Sequence, residues 1–99
     1  MLYLIIGRDV PDSLPMRRRV REAHLGRIRE LAAAGRVAIA GPCPAVDSVD
    51  PGEAGFTGSV IIAEFDSLEA ARDWVAADPY ATDGVFESYD VRPFLKVLP

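Results

Sequence analysis

A long helical segment that follows a short apolar segment is the feature that most constrains the fold of this chain. Apolar residues recur at helical spacing from residue 13 or 14 to residue 34. Ser13 or Asp12 is placed to cap this helix, and Gly35 is placed to end it. The preceding residues 2–7 are apolar and β-prone, which predicts a buried strand. The chain is therefore expected to begin with a strand and a long helix.

The rest of the chain predicts further strands and a second helix, separated by turn residues. Pro42 and Pro44 are expected to end the second strand, and Pro93 to interrupt the fourth, because proline donates no backbone hydrogen bond. Asp66 or Ser67 is expected to cap the second helix. In chain order we predict a strand at 37–41, a long connection at 42–58, a strand at 59–65, a helix at 68–78, a strand at 85–91 and a short terminal strand at 94–98.

This order of elements predicts an α+β protein with the ferredoxin-like βαββαβ topology, an antiparallel sheet with two helices on one face. A chain of 99 residues fits one compact domain, so residues 1–99 are interpreted as a single domain. Helices on one side leave the other face of the sheet open, although strands 2–7 and 59–65 are strongly apolar. We therefore expect a homodimer that packs sheet face against sheet face.

The composition excludes several classes of protein. A net charge of −4 argues against a nucleic-acid partner, and no segment approaches the roughly 18 apolar residues of a membrane span. Cys43 is the only cysteine, which favours a reducing compartment, and no targeting sequence is recognisable, so a cytoplasmic protein is expected. One histidine and one cysteine do not make a usual zinc site, and no phosphate-binding loop is present, so no metal or organic cofactor is expected.

The only histidine, His24, falls on the apolar stripe of the first helix. An unpaired buried polar group costs about 1 to 3 kcal/mol, so His24 needs a partner. Asp78 is the best candidate, because it is predicted to end the second helix, immediately before Pro79, where a carboxylate opposes the helix dipole. Such a pair could fix the histidine tautomer and leave one ring nitrogen for proton exchange with a substrate. It could equally be a structural pair with no chemical role.

Other candidate residues surround this pair. Arg21 lies one helical turn and Arg17 two turns before His24, where either could meet an anionic group, although the basic segment 17–21 is otherwise typical of a solvated face. Tyr80 could offer its phenol to a ligand or simply pack. Gly41 and Pro42 could let a ligand approach the backbone or only end a strand. The full set of candidate substrate-binding residues is Arg17, Arg21, Gly41, Pro42, Ser59 and Tyr80.

Short motifs in a characteristic order make the chain resemble the YciI family. The resemblance covers nearly the whole chain and rests on the motifs Arg21-Glu22-Ala23-His24-Leu25, Ala40-Gly41-Pro42, Pro44-Ala45-Val46-Asp47-Ser48, Gly55-Phe56-Thr57-Gly58-Ser59, Asp78-Pro79-Tyr80 and Val91-Arg92-Pro93-Phe94. It implies a ferredoxin-like fold of the dimeric α+β barrel type and an active site centred on a histidine and an aspartate, which correspond here to His24 and Asp78. Related barrels include isomerases, lyases and cofactor-free oxygenases that act on small, often aromatic, compounds.

Two hypotheses about function follow. The first is a small cofactor-independent enzyme in which His24 is the acid-base and Asp78 orients it, in an isomerase, lyase or hydrolase reaction on a small organic, aromatic or anionic substrate. The second is a non-catalytic ligand-binding or accessory protein in which the His24–Asp78 pair is structural. Fold kinship alone does not decide between them.

Overall fold

The structure, a computed structural model, describes residues 1–99 and has the predicted βαββαβ order with one additional short α-helix and a 3-10 helix at Gly52–Ala54. All sheet pairings are antiparallel, and the four strands lie in the order second, third, first, fourth across the sheet, which confirms the ferredoxin-like α+β fold. None of the helices combines the length and the apolar character that a bilayer span requires. The elements are β1 (Leu2–Asp9), α1 (Leu14–Ala33), β2 (Val37–Pro44), β3 (Phe56–Glu64), α2 (Leu68–Ala76), α3 (Pro79–Thr82) and β4 (Phe86–Phe94).

The two faces of the sheet differ in what covers them. On one face, Tyr3 and Ile5 of β1 and Ile61 of β3 are buried against the helices. On the other face, the register sets Leu4 opposite Ile62 and Ile6 opposite Val60. These four apolar side chains are only half-buried, because no element of the chain packs over them. The core is completed by Leu31, Ala63, Phe65, Ala71 and Val75.

Helix α1 has the predicted extent but not the predicted cap. Gly35 follows it with a φ of +74°, the left-handed geometry that ends many helices. Ser13 precedes the helix without capping it, because its hydroxyl donates to the carboxylate of Asp9 instead. The three fully buried residues of α1 are seven positions apart, and two of them are polar: Arg17, His24 and Leu31.

The expected breaks at Pro42 and Pro93 are wrong, whereas β2 does end at Pro44. Strand β2 continues through Pro42 to Pro44, and β4 continues through Pro93. Each is an edge strand with a single neighbour, so a proline without an N–H group need not break a pairing. The connection between β2 and β3 is accordingly shorter than expected, and residues 95–99 form no terminal strand.

The position of Asp78 also differs from the prediction. Helix α2 ends at Ala76, and Asp78 begins the short helix α3, where its side chain accepts a hydrogen bond from the backbone N–H of Tyr80 at 2.9 Å. A carboxylate at a helix start satisfies a free N–H group and lies at the favourable end of the dipole. The expected electrostatic conflict at Asp78 is therefore absent.

The start of α2 provides a test of the fold. Ser67 accepts a hydrogen bond from the backbone N–H of Ala70, which selects it over Asp66 as the cap. We expect Ser67→Ala to lower the free energy of unfolding by about 1 kcal/mol, because one N–H group loses its acceptor. Asp66→Ala is the matched control and should change it by less than about 0.5 kcal/mol. Urea unfolding of both variants measures this, and an equal loss in both would show that Ser67 is not the cap.

Candidate active site

His24 and Asp78 are in direct contact beneath helix α1. Nδ1 of His24 lies 2.7 Å from Oδ1 of Asp78, and the side chains are 6% and 1% exposed. The carboxylate can only accept, so Nδ1 carries the proton of this bond. The other ring nitrogen, Nε2, has no partner in the chain, and no fully buried side-chain nitrogen or oxygen lacks one. Nε2 is therefore open to the cavity that His24 lines.

Asp78 accepts two further hydrogen bonds, which hold it in place. The backbone N–H of Tyr80 donates to Oδ1, and Nη1 of Arg27 donates to Oδ2 at 3.0 Å. The guanidinium of Arg27 also lies over the ring of Trp74, 4.4 Å from its centroid. Sequence reasoning did not identify Arg27, although it lies three residues after His24 and thus on the same side of the helix. The carboxylate consequently joins α1 to the start of α3.

Tyr80 forms one wall of the site. Its ring is stacked on that of His24, with 3.7 Å between the centroids and 5° between the planes. Phe86 packs edge-on against Tyr80 and occupies the space above Gly7 that any side chain there would fill. Burial raises the pKa of Tyr80 above 10, while the charges of Arg17 and Arg21 act in the opposite direction. The phenol thus keeps its proton at neutral pH and can donate a hydrogen bond.

Arg17 is buried in a second polar network. Nε and Nη2 of Arg17 donate to the two carboxylate oxygens of Asp9 at 2.6 and 2.9 Å, and Nη2 also lies 2.9 Å from the carbonyl of Gly58 and from Oγ of Ser59. Its guanidinium also lies 5.0 Å from the ring centroid of Phe56 and 4.9 Å from that of Tyr80. The charge of Arg17 is therefore already matched by Asp9, a residue that the sequence analysis did not select.

All of the predicted site residues except Asp78 line one cavity of about 200 Å³. Asp78 lies behind His24 and reaches the cavity only through it. Arg21 is exposed at this cavity and makes no ion pair within the chain, whereas Arg17 does. No three His, Cys, Asp or Glu side chains of the chain are grouped as metal ligands would be. The lining residues are Arg17, Arg21, His24, Leu25, Ile28, Ala40, Gly41, Pro42, Ser59, Val60, Ile61 and Tyr80.

The fold and this cavity define a ferredoxin-like α+β protein of the type found in dimeric α+β barrels. A solved structure with the same fold is the 5-chloro-2-hydroxyhydroquinone dehydrochlorinase of Burkholderia phenoliruptrix AC1100, in complex with 2,5-dihydroxybenzoquinone. The two superpose with a TM-score of 0.84 and share 29% sequence identity over 96% of this chain and 94% of the dehydrochlorinase.

Sequence comparison assigns the family. Residues 1–95 match the YCII-related domain, and the chain is 59% identical over 98 residues to Protein YciI of Escherichia coli O6:H1 (strain CFT073), covering 99% of this chain and all of that protein. The chain therefore belongs to the YciI-like family. A more distant relative is Fusaric acid biosynthesis protein 2 of Gibberella fujikuroi, 30% identical over 94 residues that cover 93% of this chain and 90% of the relative.

The buried Arg17–Asp9 pair makes a prediction about stability. Replacement of Arg17 by Met leaves the carboxylate of Asp9 buried without its counter-charge, so we expect the free energy of unfolding to fall by about 3 to 5 kcal/mol. Arg18→Met is the matched control on the same helix, because Arg18 is solvent-exposed and pairs with Glu53 only at 3.3 Å. It should cost less than about 1 kcal/mol. Urea unfolding followed by Trp74 fluorescence distinguishes the two, and equal losses would contradict the prediction.

Proposed function

We propose that this protein is a small cofactor-independent enzyme that uses His24 and Asp78 for acid-base chemistry on a small organic substrate. The observation that supports this most directly is the asymmetry of the His24 ring. Nδ1 is held by a buried carboxylate, while Nε2 is open to a cavity. A purely structural histidine would have both nitrogens satisfied within the fold.

The chemistry follows from that asymmetry. Nε2 takes a proton from the substrate, and the bond from Nδ1 to Asp78 keeps the ring in the required tautomer and orientation. Returning the proton to a different substrate atom completes an isomerisation, whereas loss of a leaving group completes an elimination. Both belong to the isomerase, lyase and hydrolase range of reactions.

The remaining lining residues fit a small, flat, anionic substrate. Leu25, Ile28 and Ile61 provide apolar surface for a ring, and the phenol of Tyr80 can donate a hydrogen bond. Arg21 is the unpaired cation of the cavity, so we assign the anionic group of the substrate to Arg21. Arg17 contacts Tyr80 and Ser59 and thereby holds the cavity wall in place. Gly41 and Pro42 of strand β2 line the remaining edge of the cavity.

The solved neighbour supports an elimination. That protein is a dehydrochlorinase, and its structure holds a substituted benzoquinone. Loss of HCl from a chlorinated hydroquinone moves one hydroxyl proton to the chlorine-bearing carbon and removes a second hydroxyl proton as chloride departs, which leaves a hydroxybenzoquinone. Both steps are proton transfers, which is the role proposed for His24. We therefore propose a hydroxylated aromatic ring, in its anionic form, as the first substrate class to test.

The second candidate is a non-catalytic binding or accessory protein. Asp78 accepts three hydrogen bonds, so both of its oxygens have partners within the chain, and a purely structural pair would also require this. Under this hypothesis the cavity would bind a ligand without changing it chemically.

Turnover distinguishes the two candidates. We expect the parent protein, incubated with 5-chloro-2-hydroxyhydroquinone or its unchlorinated analogue in D₂O, to release chloride from the first or to exchange ring protons of the second. His24→Gln should lower this rate by roughly 10² to 10⁴-fold, because the base is lost. Arg19→Gln, an exposed position on the same helix, is the control and should keep the parent rate. Chloride release and deuterium incorporation are measured by ion-selective electrode and NMR.

The outcomes that contradict the enzyme proposal are specific. A His24→Gln variant as active as the parent would show that His24 is not the base. A parent that binds 2,5-dihydroxybenzoquinone but neither releases chloride nor exchanges protons would favour the accessory protein.

We also propose that the open sheet face forms a homodimer. Leu4, Ile6, Val60 and Ile62 form an apolar strip across the two central strands with no cover from the chain itself. Ile62→Glu should therefore convert a dimer to a monomer, because it would bury an unpaired charge at the centre of the interface. Ala33→Glu, exposed at the end of α1, is the control. Sedimentation velocity measures both, and a monomeric parent would contradict the proposal.

A further inference from the structure

We propose that Arg27 is a positioning residue that balances the charge of Asp78 and thereby keeps the resting His24 ring neutral, with Nε2 unprotonated. The consequence of this charge balance for catalysis rests on the proposed function, whereas the charge state of the His24 ring does not. In the first step of the proposed reaction, His24 therefore acts as a base and abstracts a proton, and it does not begin as an acid.

The two oxygens of Asp78 have separate partners. Oδ1 accepts from His24 and from the backbone N–H of Tyr80, whereas Oδ2 accepts from Arg27 at 3.0 Å. An arginine keeps its charge at every physiological pH, so this carboxylate has a permanent cationic partner before His24 is considered. The carboxylate is 1% exposed and the arginine 26%, and Trp74 covers one face of the guanidinium. Water therefore screens the pair only in part.

A proton on His24 would add a second cation to the same carboxylate. In a buried site, desolvation disfavours the charged form of a histidine, and only an uncompensated negative charge would reverse this. Asp78 does not provide one, because Arg27 already neutralises it. The short bond from Nδ1 to Oδ1 is then a hydrogen bond from a neutral ring to a carboxylate that is itself part of an ion pair.

The other groups around His24 act in the same direction. Tyr80, stacked on the ring, is a neutral phenol at neutral pH. Arg17 lines the same cavity but is matched by Asp9, so this pair adds no net charge. Arg21 is unpaired and positive, and strands β2 and β3 contribute Gly41, Pro42 and Ser59, none of which is charged. The surroundings of His24 are thus already positive by one charge, which further disfavours an imidazolium.

Removal of Arg27 should reverse this balance. In Arg27→Gln, the buried carboxylate of Asp78 retains its charge and has no cation except a protonated His24. An opposite charge at that distance commonly favours the charged form by tenfold or more, so we expect the ratio of protonated to neutral His24 to rise by at least about tenfold at neutral pH. Arg27→Lys restores the positive charge and should return the ring most of the way to the neutral form.

Nitrogen-15 NMR tests the proposal without any substrate. His24 is the only histidine of the chain, so its ring signals need no assignment, and the correlations between ring nitrogens and carbon-bound protons distinguish the neutral Nδ1–H tautomer from the imidazolium. The parent should show the neutral ring. Arg29→Gln is the matched control, because it removes the same charge from an exposed position on the same helix and leaves Asp78 untouched, and it should match the parent.

Two results would overturn the proposal. One is a parent ring that is already doubly protonated at neutral pH, and the other is an Arg27→Gln ring that stays as neutral as the parent ring, which would leave Arg27 only its packing on Trp74. If Arg27→Gln does not fold, Arg27→Met, which keeps the aliphatic contact with Trp74, is measured in its place. A neutral parent ring in a protein without turnover would contradict the proposed function and leave this inference standing.

Discussion

The buried carboxylate of Asp78 is the group on which the geometry of the site depends. It accepts from His24 and Arg27 of α1 and from the first turn of α3, so one side chain fixes the distance between two helices and the orientation of the histidine ring. Burying a carboxylate is unfavourable unless it is hydrogen-bonded and paired with a cation, and three donors, one of them the guanidinium of Arg27, meet that requirement. The stack of His24 on Tyr80 follows from this, because the residue that begins α3 also places Tyr80 two positions later.

The sequence predicted the fold well, because its main signals are local. Short apolar, β-prone segments located the central strands, helical spacing and Gly35 located α1, and their order left one common topology. The prolines at 42 and 93 were misinterpreted for a non-local reason. Whether a proline ends a strand depends on whether its missing N–H group faces a neighbour, and that follows from the strand order of the sheet, with β2 and β4 at its edges.

The site shows the same division between local and non-local information. His24 was conspicuous as a polar residue on an apolar stripe, and Pro79 marked the position of Asp78, so their contact could be expected. Arg17 resembled its exposed neighbours in the basic segment, and nothing within that segment indicates that it is buried. Its burial depends on Asp9 in β1 and on the backbone of Gly58 in β3, which approach only after the sheet has formed. Arg27 was missed for the same reason.

The charges of the site form a pattern that only the assembled structure shows. Each of its two buried carboxylates has a permanent arginine partner, Asp9 with Arg17 and Asp78 with Arg27, so neither contributes net negative charge to the cavity. Arg21 then remains as the single uncompensated charge beside an uncharged histidine and phenol. A protein with a net charge of −4 thus presents a small positive site, which attracts an anion locally while the rest of the surface repels it. One charged group on the ligand balances Arg21, and a second would have no partner. For the proposed function, this balance favours singly charged substrates over multiply charged ones.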